Sequence, residues 1–260
     1  MTGLAGDLRI GPLLRDWRQR RRLSQLDLAL EAGVSARHLS FVETGRSRPS
    51  AEMVLHLAEQ LDVPLRDRNA LLLAAGFAPA YAERPLDAPE MAPVREAIQL
   101  VLDGHDPYPA VVVDRRWDVV ASNRGLAALM TGVATWLLEP PVNVMRLSLH
   151  PEGAAPRIVN LGEVRAHLLE RLGRQVSVTG DEALRTLLDE VAAYPAPPHD
   201  APPPAQDIVL PLRLRTDAGE LSLFSSVATF GTAVDVTVSE LVIESFFPAD
   251  ARTAEVLRAG

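Results

Sequence analysis

The 260-residue chain contains no cysteine, which excludes a disulfide framework and any thiolate-ligated zinc or iron–sulfur site. Its six histidines, at 38, 56, 105, 150, 167 and 199, never take a ligand-type spacing such as HxxxH, so no metal site is expected. No apolar run approaches the roughly 20 residues that cross a bilayer. Met1 to Gly11 also lacks the basic start and apolar core of a signal peptide. A cytoplasmic protein without membrane partners is the expectation. The motifs of catalysis are missing as well: there is no GxSxG elbow, no glycine-rich phosphate loop and no HExxH. No catalytic residue is assigned and no enzyme is expected. Lysine is absent too, so all 26 basic residues are arginine.

What is present suffices for a core, since 47% of the chain is apolar and 260 residues allow one large domain or two modest ones. The net charge of −8 argues against bulk attraction to nucleic acid, but it is unevenly spread. Residues 1–68 hold 11 Arg against 9 acids, and residues 69–260 hold 15 against 25. Between Arg15 and Arg48 the excess is locally positive, 8 Arg to 4 acids. A small anion-binding module joined to a larger acidic domain fits this asymmetry; a solvated helix face fits it equally well.

Proline marks the joints. A helical stretch, residues 8–76, ends where FAPAYAERPLDAPEMA (77–92) sustains neither helical nor strand periodicity, which makes this segment the expected connector. Residues 93–260 then form a second domain. Val94 to Leu102 reads as a helix, and AVVV (110–113) with WDVVAS (117–122) around Asp114-Arg115-Arg116 as a hairpin. Asn123 is placed to cap a helix over 125–130. Helices are expected at about 161–173 and 181–193, the second opened by Asp181. YPAPPHDAPPPAQ (194–206) cannot be helix or inner strand. Residues 208–215, 220–230 and 232–247 read as antiparallel strands, followed by a short helix at 249–258. The expected architecture is two-domain α+β, with an N-terminal all-α bundle of five helices and a C-terminal antiparallel sheet with packed helices.

The strongest local signal lies between Leu13 and Leu61. Ser24 is an N-cap candidate with Asp27 three residues on, and Leu26, Ala29 and Leu30 form one apolar stripe. Gly33 permits a sharp reversal, and Ser35 caps a second helix to about Thr44 with Leu39 and Val42 facing inward. Two short helices meeting at a glycine turn form a helix-turn-helix, whose second helix enters the major groove. Ala36, Arg37, Ser40 and Phe41 then lie outward. Arg37 suits bidentate contact with guanine or, alternatively, contact with phosphate, and Phe41 either meets a thymine methyl or tucks against the fourth helix. Arg46 and Arg48 follow the recognition helix, within reach of phosphate.

LSQLDLALEAGVSARHLSFVETGRSRPSAEMVLHLAEQLDV resembles the lambda repressor and Cro-like XRE family of DNA-binding domains, over about a fifth of the chain. The resemblance implies sequence-specific binding to duplex DNA. It implies a phosphate contact for Gln25, a DNA-facing set of Ser35, Ala36, Arg37, His38, Ser40 and Phe41, and a structural pair, Arg18 with Glu43. Such readers act as dimers on near-palindromic sites.

The strand-turn-strand-helix order from Ala110 resembles the opening of PAS domains. More widely, residues 93–258 resemble the MmyB-like ligand-binding domain found fused to XRE modules, through PYPAVVVDRRWDVVASN, PVNVMRLSLHPEG, TGDEALRTLLDEVAAYP and PLRLRTDAGELSLFSSVATFGTAVDVTVSELVIESFFPADARTAEVLR. This implies a PAS-like receptor for a small apolar effector, with a bound fatty acid or similar ligand and no other cofactor. An acyl ligand needs an apolar tunnel and a polar anchor. Arg146 is the anchor candidate, with Asn143 and His150 nearby; alternatively Arg146 pairs with a core Asp or Glu, such as Asp235 or Glu240. Wall candidates are Trp117, Leu126, Met130, Trp136, Met145, Phe224 and Phe230, any of which also suits ordinary core. The competing expectation is a DNA-tethered interaction module whose second domain docks a protein partner. An exposed apolar patch without a cavity would favour it.

Overall fold

The computed structural model describes residues 9–197 and 210–259. Most of the predicted proline-rich loop at 194–206, and the start of the strand predicted from Ile208, lie outside them. The chain divides into two compact units. One runs to Arg84 and takes in Thr232–Ser239; the other comprises Pro85–Gly231 and the chain from Glu240.

The first unit opens with five helices: α1 (Ile10–Arg20), α2 (Gln25–Glu31), α3 (Ala36–Glu43), α4 (Ala51–Gln60) and α5 (Leu65–Ala74). Local sequence sets their starts. The Ser24 hydroxyl accepts the Asp27 N–H while the Asp27 carboxylate accepts the Ser24 N–H, a complete capping box. Ser35 and Ser50 cap α3 and α4 by accepting from His38 and Met53. Gly33, at φ +62°, makes the reversal between α2 and α3. The core gathers Leu14, Leu28, Leu39, Leu57, Leu61, Leu71 and Leu72, all fully buried and each contributing about 1.5–3 kcal/mol. The stripe expected on α2 is corrected here. Leu28 and Ala29 are buried, whereas Leu26 and Leu30 are exposed, because the helix turns the 28/29 edge toward the core.

The chain after α5 stays with this unit. The Asn69 side chain accepts from Ala80 and Tyr81 N–H and donates to the Tyr81 carbonyl. Residues 232–239 join it as well: Val236 N–H donates to the Ala82 carbonyl at 2.8 Å, and Arg84 pairs with buried Asp235 at 2.9 Å.

The second unit begins with α6 (Ala92–His105), the strands β1 (Ala110–Val113) and β2 (Val119–Ser122), and α7 (Arg124–Ala128). It continues with α8 (Val144–Leu149), α9 (Leu161–Thr179) and α10 (Glu182–Ala192). After these come β3 (Leu212–Thr216) and β4 (Gly219–Thr229). The helix α11 (Val236–Ser239) belongs to the first unit, and β5 (Val242–Pro248) and α12 (Ala251–Ala259) return to the second. The strands make one antiparallel sheet in the order β2-β1-β5-β4-β3, so the early hairpin and the late strands join through β1 and β5. Every residue of β1 is buried, as an inner strand covered on both faces requires. Ala110 and Val112 pack with Ile98 and Leu102 of α6.

Several boundaries differ from those the sequence suggested. The strand expected over 232–247 is confined to 242–248; its first half turns away and holds α11, capped where Asp235 accepts from Thr237. Helix α9 runs six residues past its predicted end, stopping at Gly180 in the left-handed region. Strand β2 starts at 119 because Trp117 takes φ +68° in the turn, where Asp114 accepts from Arg116 and Asp118. Asn123 caps α7 as expected, and its side chain also binds Ala110 N–H and the Tyr108 carbonyl.

Candidate functional site

In the first unit the outward face of α3 brings three of the predicted residues together. The Arg37 guanidinium lies 5.3 Å from the centroid of the Phe41 ring, and that of Arg46 lies 6.0 Å from it. The half-buried Phe41 is thus flanked by two exposed cations on a single turn of surface. Among the described residues, Arg37, Arg46 and Arg48 have no ion-pair partner, so nothing in the described part of the unit neutralises them. Ala36, His38 and Ser40 are half-buried beside them. Ser35 spends its hydroxyl on the helix cap. Gln25 faces inward, donating to Glu43 at 2.8 Å, where the family resemblance assigned it a phosphate.

Behind this face a buried pair fixes the end of α3. Arg18 grips Glu43 bidentately at 2.7 and 2.9 Å and donates to the Leu23 carbonyl at 2.7 Å. Burial pushes the Glu43 carboxyl up, but hydrogen bonds from Arg18 and Gln25, with the charges of Arg18 and Arg15, hold it below the usual range. Helix α1 approaches closely at the same point. A Cβ on Gly11 would collide with the carbonyl oxygen of Glu43.

In the second unit a cavity of about 160 Å³ opens between the sheet and helices α7, α8 and α9. Of the wall candidates, Trp117, Leu126, Met130 and Met145 line it. Sequence reasoning missed the sheet's share: Leu212 and Leu214 on β3, Leu223 and Ser225 on β4, and Glu244 and Phe246 on β5. The signal was available, because each of these pairs is spaced by two along a strand and so points to one face. The lining is otherwise apolar, its polar members being Ser148, His167, Ser225 and Glu244. Glu244 pairs with Arg171 at 3.1 Å, and the Arg171 guanidinium stacks over Trp117 at 4.5 Å. The indole N–H of Trp117 donates to Gln175.

The remaining ligand candidates lie off the cavity. Arg146 is held bidentately by Glu190, both contacts at 2.7 Å, and does not line it. Arg146 thus pairs with an acid, as the alternative reading had it, though with neither of the two given as examples: Asp235 binds Arg84, and Glu240 lies 3.8 Å from Arg115. Tyr194 also donates to Glu190, and burial together with that carboxylate pushes its phenol up to about 12. Asn143 caps α8 and donates to Arg116 and Asp118. His150 stacks edge-on between the half-exposed Trp136 and Tyr194, with centroids 4.9 Å apart on each side. Phe224 stacks on Phe247 at 5.4 Å, and Phe230 packs against the α6 cluster. Among the described residues, no group of three or more His, Asp or Glu could hold a metal ion, and no helix is long and apolar enough to cross a membrane.

Residues 94–259 match the family described as MmyB-like transcription regulator ligand binding domain, and residues 14–67 match the helix-turn-helix family. No curated protein matches the chain. Among solved structures, one described as "Structure of an RNA-binding Light-Oxygen-Voltage Receptor" aligns at 14% identity and a TM-score of 0.25. The alignment covers 99% of this chain and spans 62% of the length of that one. Both matched families are regulatory, one binding DNA and the other a small molecule.

Proposed function

The chain belongs to the family of transcription regulators with an MmyB-like ligand-binding domain, and from this premise we propose that α3 reads a specific duplex sequence while the sheet-lined cavity takes an apolar small molecule. The observation that carries the first half is the trio Arg37, Phe41 and Arg46, two cations without an ion-pair partner among the described residues, flanking a ring at the outward face and end of a capped helix. Arg37 matches the two acceptors of a guanine edge, and Phe41 a thymine methyl. Arg46 and Arg48 meet phosphate and set the register. The Gln25 amide reaches phosphate by leaving Glu43, which keeps both bonds to Arg18.

The second half rests on the apolar lining and on its size. About 160 Å³ matches the roughly 150 Å³ dry cavities that accept one aromatic ring. A short acyl segment fits as it stands, and a longer fatty-acyl chain requires the walls to part. The presence of a lined apolar cavity favours a receptor over a protein-docking domain. The protein acts as a homodimer on half-sites about 10 bp apart or a multiple of that, in the cytoplasm, and the ligand shifts the balance of two arrangements with different DNA affinity.

Selection of bound oligonucleotides from a random pool, followed by anisotropy titration, tests the first half. Arg37→Ala is expected to weaken the selected site about 10- to 100-fold and relax preference at one position, from about 1–3 kcal/mol per bidentate contact. Unchanged affinity and preference would refute the placement. Extraction and mass spectrometry of copurifying ligand, with Ser148→Phe to fill the cavity, tests the second. Equal ligand occupancy in both proteins would refute it.

A further inference from the structure

We propose that the second unit carries a second ligand site, separate from the apolar cavity: a cationic groove that binds a small amphiphilic anion, its phosphate or carboxylate head among three arginines and its apolar part on a leucine and valine floor. Arg124 opens α7, Arg157 ends the short 3₁₀ turn Ala155–Arg157, and Arg215 lies on β3; all three line one groove of about 660 Å³. That volume falls within the range of about 300–1,000 Å³ usual for ligand pockets, about four times that of the apolar cavity. The floor is Leu129, Leu221, Val256 and Leu257, and the lining has a single carboxylate, Asp217.

The groove concentrates positive charge in a chain of net charge −8. Elsewhere in this unit Arg115, Arg146 and Arg171 each pair with a carboxylate. Among the described residues, Arg124 and Arg215 have no hydrogen-bond or ion-pair partner. Arg157 has one, the Leu129 carbonyl at 2.7 Å, and no acid. Burial pushes the Arg157 guanidinium down, with nothing offsetting it. A half-buried cation lacking a counter-charge is costly, and an anion in the groove would remove that cost. Arg252 stands at the rim, 3.4 Å from the Ala218 carbonyl, and adds a fourth positive charge at the same end. Three guanidiniums from three elements suit the separated oxygens of a phosphate better than a single fork would.

The groove adjoins the cavity but has its own lining. On β3, Leu214 lines the cavity and Arg215 the groove, while Leu129 forms part of both walls and Leu221 of the groove floor pairs with Leu214 across the strands.

The test is calorimetric titration of the full-length protein with hexyl phosphate, inorganic phosphate and hexanol. Hexyl phosphate is expected to bind at least tenfold tighter than either of the others. The double variant Arg124→Ala/Arg215→Ala, altering two exposed side chains, is expected to lose that preference at least tenfold. Ser148→Phe, which fills the apolar cavity, is expected to keep it. No saturable binding of hexyl phosphate, or equal binding by the arginine variant, overturns the proposal. Binding abolished by Ser148→Phe and kept by the arginine variant assigns the probe to the cavity, which also overturns it. Anionic vesicles or an acidic peptide binding more tightly than hexyl phosphate, with loss in the arginine variant, would replace the small molecule by a macromolecular partner. None of these outcomes bears on DNA binding by α3, so failure here leaves that reading intact.

Discussion

Replacing Glu43 by Gln removes a charge while keeping the shape, and it leaves the Arg18 guanidinium, only 9% exposed, beside a neutral amide. Breaking a buried ion pair from one side costs about 3–5 kcal/mol, because the surviving charge is stranded away from water. The Leu23 carbonyl still accepts one N–H of Arg18, so the lower end of that range, about 3 kcal/mol, is expected. At about 1.4 kcal/mol per decade this is roughly a hundredfold rise in the population of opened states. Hydrogen exchange with mass spectrometry on the full chain reads it directly. Peptides covering α1 and α3 should exchange about a hundredfold faster, while those covering β1 and β5 should not change. The double variant Arg18→Met/Glu43→Leu removes both charges and should return most of the protection, since apolar residues of similar volume often replace buried pairs without loss. If Glu43→Gln exchanged at the parental rate, or the double variant were as labile as the single, the pair would not hold α1 to the recognition helix.

Acid should act on the same pair. The folded pKa of Glu43 lies below its ordinary 4.5, so its stabilisation is fully present above that value and is lost as pH falls through the folded pKa; circular dichroism below pH 4.5 should show weakening that Glu43→Gln no longer shows. Gly125→Ala should lower the melting temperature despite the roughly 1 kcal/mol gain in helix propensity. Its Cβ would collide with the Pro107 carbonyl oxygen, and overpacking against backbone costs about 1–3 kcal/mol. Arg146→Ala should leave apolar-ligand affinity unchanged and cost at most about 1 kcal/mol, because the Arg146–Glu190 pair is more than a third exposed. Glu190→Gln should bring the Tyr194 phenol down from about 12, measured by ultraviolet titration.

The helix-turn-helix was legible because its signals are local: Ser24, Gly33 and Ser35 act within one turn of their own positions, and each does in the structure what its type dictates. The Arg18–Glu43 pair, 25 residues apart, came only from the family resemblance, since no periodicity links α1 to the end of α3. The partner of Arg146 was hidden for the same reason. The arginine's apolar neighbours in sequence suggested a buried cation facing a cavity, but Glu190 on α10 reaches it across 44 residues, and sequence distance hides that contact. The stretch 232–239 was read as strand from its Val and Thr content, and tertiary context overrode the propensity: Val236 and Val238 are buried in the first unit as helix. The cavity's sheet wall was foreseeable from two-residue alternation, whereas of the four aromatic wall candidates, Trp117, Trp136, Phe224 and Phe230, only Trp117 lines it.

The passage of Thr232–Ser239 through the first unit bears on how this protein may be dissected. The backbone passes from one unit to the other three times, after Arg84, Gly231 and Ser239, so no single scission yields two self-contained halves. A fragment truncated after the helical bundle would forfeit the donor for the Ala82 carbonyl and the acid that holds Arg84, and would bare the apolar seat of Val236. Chimeras exchanging the reader head of this regulator for another must therefore transplant the 232–239 loop along with it.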